Sequence, residues 1–438
     1  RKATTDLSQS YLAIRAGAAR KRISRMNVVI PLGGVGSRFQ NEGYLTRPKP
    51  FIPILGKPMI RWVVDNLALQ QDDALIVIFN PTWMSMKCFM QEMLADTDAR
   101  VRLVELPGPT RGAAETVLIG LQALPEDLRA RPTLLADGDT FYTADVVGAF
   151  RKVAATHNAV FCFHDTQPKP IYSYITLDEA DNIKDVKEKV KISDWANTGC
   201  YCFRNGSELA TECQALIKRG ETQLSQDQKG EFYTSGVIAA MISRGAPFKG
   251  IKLYRNDFHV LGTPTQVAEW CSSWPSQPKM RFVFDVDGTL LSSQQAANDL
   301  SNCRPIERNV KLLRRLKAQG HHIIVWTERT AERGAEVVDA LGRLGIEYNE
   351  LQFGKPMADF YVDDRGVDPL LGDLDKQIGF YPCTIKVQEA TVGVEPAKLR
   401  VGSAVARPTP SKEFMLGTFL GLGLGVLVGV AVRGRATS

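Results

Sequence analysis

The segment VVIPLGGVGSRF, residues 28–39, decides the fold of the first half of the chain. Its apolar start, residues 28–30, predicts a buried strand, and the strand runs into a glycine-rich loop from Pro31 to Phe39. Glycines let backbone N–H groups approach an anionic phosphate without a Cβ in the way, and Arg38 adds a fork of donors for the same oxygens. The segment therefore predicts a strand followed by a phosphate-binding loop.

Further strand-like runs alternate with helical stretches downstream of this loop. They are residues 74–79, 101–105, 133–136 and 159–163. This alternation predicts an α/β domain with a mainly parallel sheet.

Two proline- and lysine-containing motifs follow the loop in a fixed order. They read RPKPFIP at residues 47–53 and GKPM at residues 56–59. A strand, then G-G-x-G-x-R, P-K-P and G-K-P-M resembles the sugar nucleotidyltransferase family (NTP-transferase family), over residues 27–270. The resemblance implies a GT-A-like nucleotide-binding domain that transfers a nucleotidyl group from an NTP to a sugar-1-phosphate.

The resemblance also implies roles for individual residues. Leu32, Gly33, Gly34 and Gly36 would hold the triphosphate, with Arg38 and Lys49 as catalytic cations, and Gly112 and Glu115 would contact the nucleotide base. The sugar-binding residues would be Glu188, Lys189, Asn197 and Gly199. The D-G-D motif of residues 137–139 would supply the Mg²⁺ ligand Asp139.

One position departs from the family pattern. The family ends its site with D-x-G-T, in which the Asp is a second metal ligand, but this chain has Val260 at that position. Valine cannot bind a metal ion. Three explanations stay open: Asp257 reaches the metal, Asp139 and the phosphates hold it, or the domain is impaired.

A second α/β unit begins with RFVFDVDGTL, residues 281–290. The D-x-D spacing at the end of a strand places the carboxylates of Asp285 and Asp287 on one face. The pattern after it predicts a helix over 310–319, a strand over 322–326, a helix over 332–344 and a third strand over 359–362.

These motifs resemble the haloacid dehalogenase superfamily of phosphatases, and more finely those of capsule and sugar biosynthesis. The resemblance implies that Asp285 attacks phosphorus, that Asp287 moves the proton, and that Thr327 and Lys355 hold the phosphoryl group. The implied Mg²⁺ ligands are Asp285, Asp287, Asp363 and Asp364. The short stretch between Asp287 and Thr327 predicts a small Rossmannoid domain with a minimal cap.

Length, charge and cysteine content limit the alternatives. A chain of 438 residues predicts two or three domains. Eight cysteines without paired spacing do not form a disulfide framework or a zinc site, and they favour a reducing compartment. A net charge of +6, with no basic-aromatic face beyond the N-terminal arm, argues against nucleic-acid binding.

The remaining segments are expected to connect or anchor the two domains. Residues 1–26 are basic and form either a surface arm or the remnant of an organellar transit sequence. Residues 271–280 are expected to be a linker, 281–385 the phosphatase-like domain, and 386–411 a tether. Residues 414–432 carry no charge, so 412–433 are predicted to be a transmembrane helix. Gly417, Gly421, Gly425 and Gly429 would form one stripe of that helix, suited to a helix partner or a second copy of the chain.

The sequence predicts a membrane-tethered, Mg²⁺-dependent bifunctional enzyme of activated-sugar synthesis. It would lie on the cytoplasmic side of a membrane, or within an organelle if residues 1–26 are a transit remnant. Two alternatives stay open. One is an enzyme relic that serves as an interaction subunit of a membrane complex, and the other is a phosphatase whose front domain only senses nucleotide or sugar.

Overall fold

The computed structural model describes residues 25–381, without 35, 43, 45–46, 82–85, 225–229, 275–277, 293–299, 359–360, 362, 364 and 369–373. The described chain forms a front domain and a second, smaller domain. The strands of the front domain are β1 (Asn27–Leu32), β2 (Pro53–Ile54), β3 (Lys57–Pro58), β4 (Ala74–Phe79), β5 (Arg100–Glu105), β6 (Thr133–Ala136), β7 (Thr140–Tyr142), β8 (Asn158–His164), β9 (Ser173–Leu177), β10 (Ile183–Glu188), β11 (Trp195–Phe203), β12 (Gln223–Leu224), β13 (Gly230–Glu231), β14 (Phe248–Leu253) and β15 (Phe258–Val260).

The helices of the front domain lie between these strands. They are α1 (Ser37–Asn41), α2 (Met59–Asp65), α3 (Met86–Met93), α4 (Ala113–Gln122), α5 (Glu126–Arg129), α6 (Val146–Val153), α7 (Gly206–Arg219), α8 (Thr234–Ser243) and α9 (Pro264–Ser273). Short 3-10 turns cover Lys49–Phe51 and Arg255–Asp257. The four strands predicted downstream of the loop correspond to β4, β5, β6 and β8, so these predictions are confirmed.

A nine-stranded sheet forms the centre of the front domain. Its order is β10-β9-β11-β6-β1-β4-β5, and β8 extends it by pairing with β11 and β14. The pairs β1–β4, β1–β6 and β4–β5 are parallel, whereas β11 is antiparallel to β6, β8 and β9. The sheet is therefore mixed, and the predicted parallel arrangement holds for the half that carries the glycine-rich loop. Hydrophobic runs do not reveal strand direction, which explains the difference.

Helices α4, α7 and α8 cover one face of this sheet and pack against one another. Helix α7 begins where Asn205 accepts hydrogen bonds from two backbone N–H groups of the first turn, and it ends at Gly220 with φ of 69°. Gly120 in α4 faces Ile78 of β4, where a Cβ would overlap the isoleucine side chain. Thr116 in the first turn of α4 lies against Gly33, so the N-terminus of α4 is beside the end of β1.

The second domain has a three-stranded parallel sheet in the order β16-β17-β18. Its elements are β16 (Arg281–Phe284), α10 (Glu307–Ala318), β17 (His322–Trp326), a 3-10 turn (Ala331–Arg333), α11 (Gly334–Arg343), β18 (Glu350–Gln352) and α12 (Leu374–Ile378). The third strand of the described sheet is β18. Of the strand predicted over 359–362, only Tyr361 is described, outside any strand, and the other three residues lie outside the described residues.

The connecting segments are described only in part. Helix α9 continues to Ser273, so the first residues of the predicted linker 271–280 belong to a helix. Among the described helices, none has the length and apolar content needed to cross a membrane. The predicted arm is described only for residues 25–26, while the tether 386–411, the transmembrane helix 412–433 and its four glycines lie outside the described residues.

Candidate functional sites

The glycine-rich loop connects β1 to α1, and its glycines have different surroundings. A Cβ at Gly33 would overlap the hydroxyl of Thr116, and Gly36 has a left-handed backbone with φ of 74°. A Cβ at Gly34 would meet nothing within 4 Å. Gly33 and Gly36 are thus needed for the loop conformation, while Gly34 leaves the backbone open to a ligand. Leu32 packs against Gly138 and joins this loop to the D-G-D motif.

Lys49 and Asp139 form the central ion pair of the front domain. The Lys49 Nζ lies 2.6 Å from Asp139 Oδ2 and also donates to the Gly262 carbonyl at 3.3 Å. Burial alone would raise the pKa of Asp139, but Lys49, with a smaller contribution from Arg38, holds it below its ordinary value. The structure therefore brings together the predicted cations and the predicted metal ligand.

A second carboxylate, Asp137, lies beside Asp139 at the end of β6. Burial and the charge of Asp139 raise the pKa of Asp137 to about 8. Two crowded carboxylates form a hard-oxygen donor set, which Mg²⁺ uses together with substrate phosphates, so these residues fit that ion. We infer that Asp137 accompanies the predicted ligand Asp139.

The structure shows the surroundings of Val260 and of Asp257, one of the proposed replacements for the missing metal ligand. Val260 lies in β15, opposite Thr140 of β7, and its side chain is half-buried. The carboxylate of Asp257 accepts a hydrogen bond of 2.8 Å from the backbone N–H of Tyr254 within its own 3-10 turn. One oxygen of the Asp257 carboxylate therefore has a partner within its own turn.

Two of the predicted sugar-binding residues lie near Asp137: Gly199 is against its carboxylate, and the charge of Glu188 influences it. The Ser235 hydroxyl donates to Glu188 Oε2 at 2.9 Å, and the Asn197 amide donates to the Ser173 hydroxyl at 2.7 Å. The buried Oδ1 of Asn197 has no hydrogen-bond partner. A buried acceptor of this kind is costly unless a ligand satisfies it, which favours a polar ligand here.

Burial raises the pKa of Glu188 above its ordinary value, and Asp137 and Glu188 are close enough to influence each other electrostatically. The Lys189 ammonium donates to the Tyr233 hydroxyl at 3.3 Å. The motifs gave no indication of Ser173, Ser235 or Tyr233, because these residues come from β9 and from the start of α8.

The predicted base-contacting loop is stabilised by contacts of Gly112 with Phe232 and of Glu115 with Arg111. Gly112 has φ of 139°, and a Cβ there would lie 2.6 Å from the backbone nitrogen of Phe232. The carboxylate of Glu115 accepts from the backbone N–H of Arg111 at 2.6 Å and from its guanidinium. Gly112 and Glu115 therefore shape this loop, and their contact with a nucleotide stays a prediction.

In the second domain, Asp285 follows β16 directly. The Lys355 Nζ lies 3.2 Å from Asp285 Oδ1, so the predicted nucleophile and the predicted cation meet. Burial raises the pKa of Asp285, although Lys355 opposes the shift. Thr327 is buried at the end of β17, and its backbone carbonyl accepts from the Lys355 N–H at 2.9 Å. The ends of β16 and β17 and the segment after β18 thus hold three of the predicted groups.

Asp287 has a partner that the motifs did not identify. Arg329 donates to both of its oxygens, from Nε at 3.0 Å and from Nη2 at 2.7 Å. The Arg329 side chain is 9% exposed, and its buried Nη1 has no partner. The hydrogen bond to Asp287 raises the pKa of Arg329. The only sequence signal for Arg329 was an arginine two positions after Thr327.

The donor set for a metal ion is less complete in the second domain. Asp363 Oδ1 accepts a hydrogen bond of 2.8 Å from the backbone N–H of Arg365, and Asp364 lies outside the described residues. Among the residues that the structure describes, no three acidic, histidine or cysteine side chains cluster as a metal site. Arg329 pairs with Asp287 here as Lys49 pairs with Asp139 in the front domain, and the four predicted ligands stay a prediction.

The cysteines agree with the expectation of structural thiols. Seven cysteines are described and all are free, and Cys200 and Cys202 are fully buried in β11. Burial raises the pKa of the Cys202 thiol well above its ordinary value, which disfavours the thiolate that metal binding requires.

Two protein families match separate parts of the chain. Residues 27–231 match the family described as nucleotidyl transferase, and residues 282–349 match haloacid dehalogenase-like hydrolase. The bifunctional protein GlmU of Mycobacterium bovis (strain BCG / Pasteur 1173P2) is 27% identical over 231 residues, which are 50% of this chain and 43% of that protein. GlmU of Listeria welshimeri is 28% identical over 227 residues, with 49% and 44% covered. The chain thus spans less than half the length of these relatives.

A solved structure is similar to part of the chain. The nucleoside-diphosphate-sugar pyrophosphorylase from Vibrio cholerae RC9 gives a TM-score of 0.49 at 21% identity, covering 56% of this chain and 98% of that one.

Proposed function

From a nucleotidyl transferase domain followed by a haloacid dehalogenase-like hydrolase domain in one chain, we propose a bifunctional enzyme of activated-sugar synthesis. The front domain transfers a nucleotidyl group from an NTP to a sugar-1-phosphate and releases pyrophosphate. The second domain hydrolyses a phosphate monoester. The observation that carries the proposal is the Lys49–Asp139 pair at 2.6 Å, placed beside an open glycine-rich loop.

In the front domain, the reaction joins a sugar-1-phosphate oxygen to the α-phosphorus while the bond to pyrophosphate breaks. Gly34 exposes its backbone to the triphosphate, and Arg38 and Lys49 neutralise charge that develops on the phosphates. Asp137 and Asp139 would hold Mg²⁺, which when bound supplies further charge neutralisation for the leaving pyrophosphate. Asn197 and Glu188 offer hydrogen-bond acceptors to sugar hydroxyl groups.

In the second domain, an oxygen of Asp285 forms a bond to phosphorus and the bond to the leaving alcohol breaks. Lys355, 3.2 Å from that carboxylate, balances the negative charge. Asp287 carries the proton: in its protonated form it gives a proton to the leaving alcohol oxygen, and as the carboxylate that Arg329 orients it then takes a proton from the water that cleaves the aspartyl-phosphate, which restores the protonated form. Thr327 completes the site at the end of β17.

The two activities restrict each other's substrates. Removal of the anomeric phosphate by the second domain would destroy the acceptor of the first reaction. We therefore propose that the hydrolase acts on a phosphate elsewhere, for example on a sugar bisphosphate, or at a later step. Preferential release of the 1-phosphate from a sugar bisphosphate would contradict a shared pathway.

A membrane location is part of the proposal and rests on sequence alone. The charge-free stretch 414–432 would anchor the enzyme, and its four glycines would contact a partner helix. Replacing Gly421 and Gly425 by leucine in the full chain should weaken association in detergent while phosphate release continues. Unchanged association would remove the reason for a partner helix.

A sensor function of the front domain is the second candidate, because Val260 replaces the expected metal ligand. One assay separates the candidates: pyrophosphate release from each NTP with a panel of sugar-1-phosphates. Asp139→Asn and Asp285→Asn serve as controls that each remove one proposed activity. Nucleotide binding without pyrophosphate release would favour the sensor, and absence of both activities would favour the relic.

A further inference from the structure

The segment that carries Lys49 is held by the second domain on its N-terminal side. The Lys376 Nζ donates to the Glu42 carbonyl at 2.7 Å. The hydroxyl groups of Tyr44 and Tyr381 form a hydrogen bond, and both side chains are buried. These partners are more than 300 positions apart, and they connect the front domain with residues at the C-terminal end of the second domain.

Gly379, between Lys376 and Tyr381, also holds the segment on the C-terminal side of Lys49. The Leu55 N–H donates to the Gly379 carbonyl at 3.0 Å. Gly379 has φ of 71°, and a Cβ there would overlap the Pro53 carbonyl and lie 3.0 Å from the Ile54 nitrogen. Only glycine allows this approach, because both neighbouring groups are backbone.

Two packed aromatic rings, those of Tyr44 and Phe39, lie between Tyr381 and Lys49. The Tyr44 ring packs edge-on against Phe39, with centroids 5.1 Å apart. The Lys49 ammonium lies 5.2 Å from the centroid of the same Phe39 ring. Thus Tyr381 contacts Tyr44, Tyr44 contacts Phe39, and Phe39 lies under the ammonium that pairs with Asp139.

Residues 374–381, here called the docking turn, are built firmly into the second domain. Arg315 of α10 donates from Nη1 to Asp375 at 2.6 Å and from Nη2 to the Phe380 carbonyl at 3.2 Å. The Phe380 ring packs against Phe282 with centroids 5.5 Å apart, and Phe282 belongs to the strand that leads to Asp285. The docking turn therefore has one side in the hydrolase core and the other on the transferase segment.

We propose that the docking turn positions Lys49, so that the front domain needs the second domain for nucleotidyl transfer. Gly379 and Tyr381 are positioning residues in this arrangement. Gly379 acts through the backbone of residues 53–55, Tyr381 acts through the rings of Tyr44 and Phe39, and neither touches a proposed substrate. A lysine displaced by an ångström or less loses its alignment with the reacting phosphates. This inference rests on the proposed transferase function of the front domain.

The test compares full-length Gly379→Ala and Tyr381→Phe with Gly345→Ala. Gly345 is also left-handed, with φ of 61°, but a Cβ there would have only ordinary contact, with Arg314 Nη2 at 3.5 Å. We expect both docking-turn variants to lower the transferase kcat, by about 10- to 100-fold for Gly379→Ala, with the KM for NTP unchanged. Phosphate release from p-nitrophenyl phosphate should continue, and Gly345→Ala should match the wild type in both assays.

Hydrogen exchange gives a readout that needs no activity. We expect faster exchange in residues 47–58 of both docking-turn variants, since the Leu55 amide loses its acceptor or its support. The inference would be overturned if both variants kept the wild-type kcat and the wild-type rate of hydrogen exchange in residues 47–58. If the wild type releases no pyrophosphate, the proposed function fails, and exchange alone decides whether the turn holds the segment. If Gly379→Ala also loses phosphatase activity, Tyr381→Phe decides.

Discussion

Gly199 lies so close to Asp137 that a Cβ at position 199 would overlap the carboxylate Oδ2. The backbone joins them too, because the Asp137 N–H donates to the Gly199 carbonyl at 3.2 Å. Strand β11 thus places a residue without a side chain where the carboxylate needs room. This explains in physical terms why the N-x-G motif contains a glycine.

Gly199→Ala should damage both stability and nucleotidyl transfer. The left-handed backbone costs an alanine about 1–2 kcal/mol, and the overlap with Asp137 adds about 1–3 kcal/mol. Gly245→Ala is the matched control, since Gly245 has φ of 85° and open space within 4 Å. Denaturant unfolding and pyrophosphate release measure both variants. Equal losses in the two would show that the contact with Asp137 is unimportant.

Lys49→Ala should lower the transferase kcat by about 100-fold or more, the effect of removing one preorganised charge-stabilising group. Lys87→Ala is the control, because Lys87 forms an exposed pair with Glu105 at 2.9 Å on the same domain. Its stability should change by less than about 0.5 kcal/mol. Pyrophosphate release under saturating NTP checks the prediction, and comparable rates for both variants would argue against Lys49 as a catalytic cation.

The sequence was informative wherever chemistry depends on residues near one another in the chain. The loop between β1 and α1, the D-G-D end of β6 and the D-x-D end of β16 lie where their motifs predicted. Local spacing is enough there, because a strand end directs the residues that follow it toward one edge of the sheet.

Contacts between distant segments could not be predicted in this way. No local pattern links Tyr44 with Tyr381 or Gly379 with Leu55, since their meeting depends on how two domains pack. The partner of Arg329 could not be predicted from the sequence either. An arginine after a strand has many partners available, and only the folded backbone shows that it meets Asp287.

Arg329→Met should lower phosphatase turnover by about 10- to 100-fold, because Asp287 loses the two hydrogen bonds that orient it. Arg329→Lys should recover only part of the activity, since an ammonium cannot form the bidentate pair. Steady-state phosphate release gives both values. Arg333→Ala, which removes an exposed pair with Glu336, should leave turnover intact. Full activity in Arg329→Met would show that Asp287 needs no such support.

The stability of the front domain should fall in mild acid because of His259. This ring stacks on Phe141 with centroids 4.8 Å apart, and burial together with Arg255 lowers its pKa to about 4. In the unfolded chain the ordinary pKa is about 6.5, so between these values the unfolded state binds more protons. The stabilising contribution is therefore complete above about pH 6.5 and is lost as the pH falls through about 4.

His259→Phe keeps the stacking and removes the proton site, so its free energy of unfolding should fall less than that of the wild type, by about 1–3 kcal/mol, between pH 6.5 and pH 4. Denaturant unfolding of both proteins at several pH values measures the difference, in which carboxylates common to both cancel. Parallel curves for the two proteins would mean that His259 titrates alike in the folded and unfolded states.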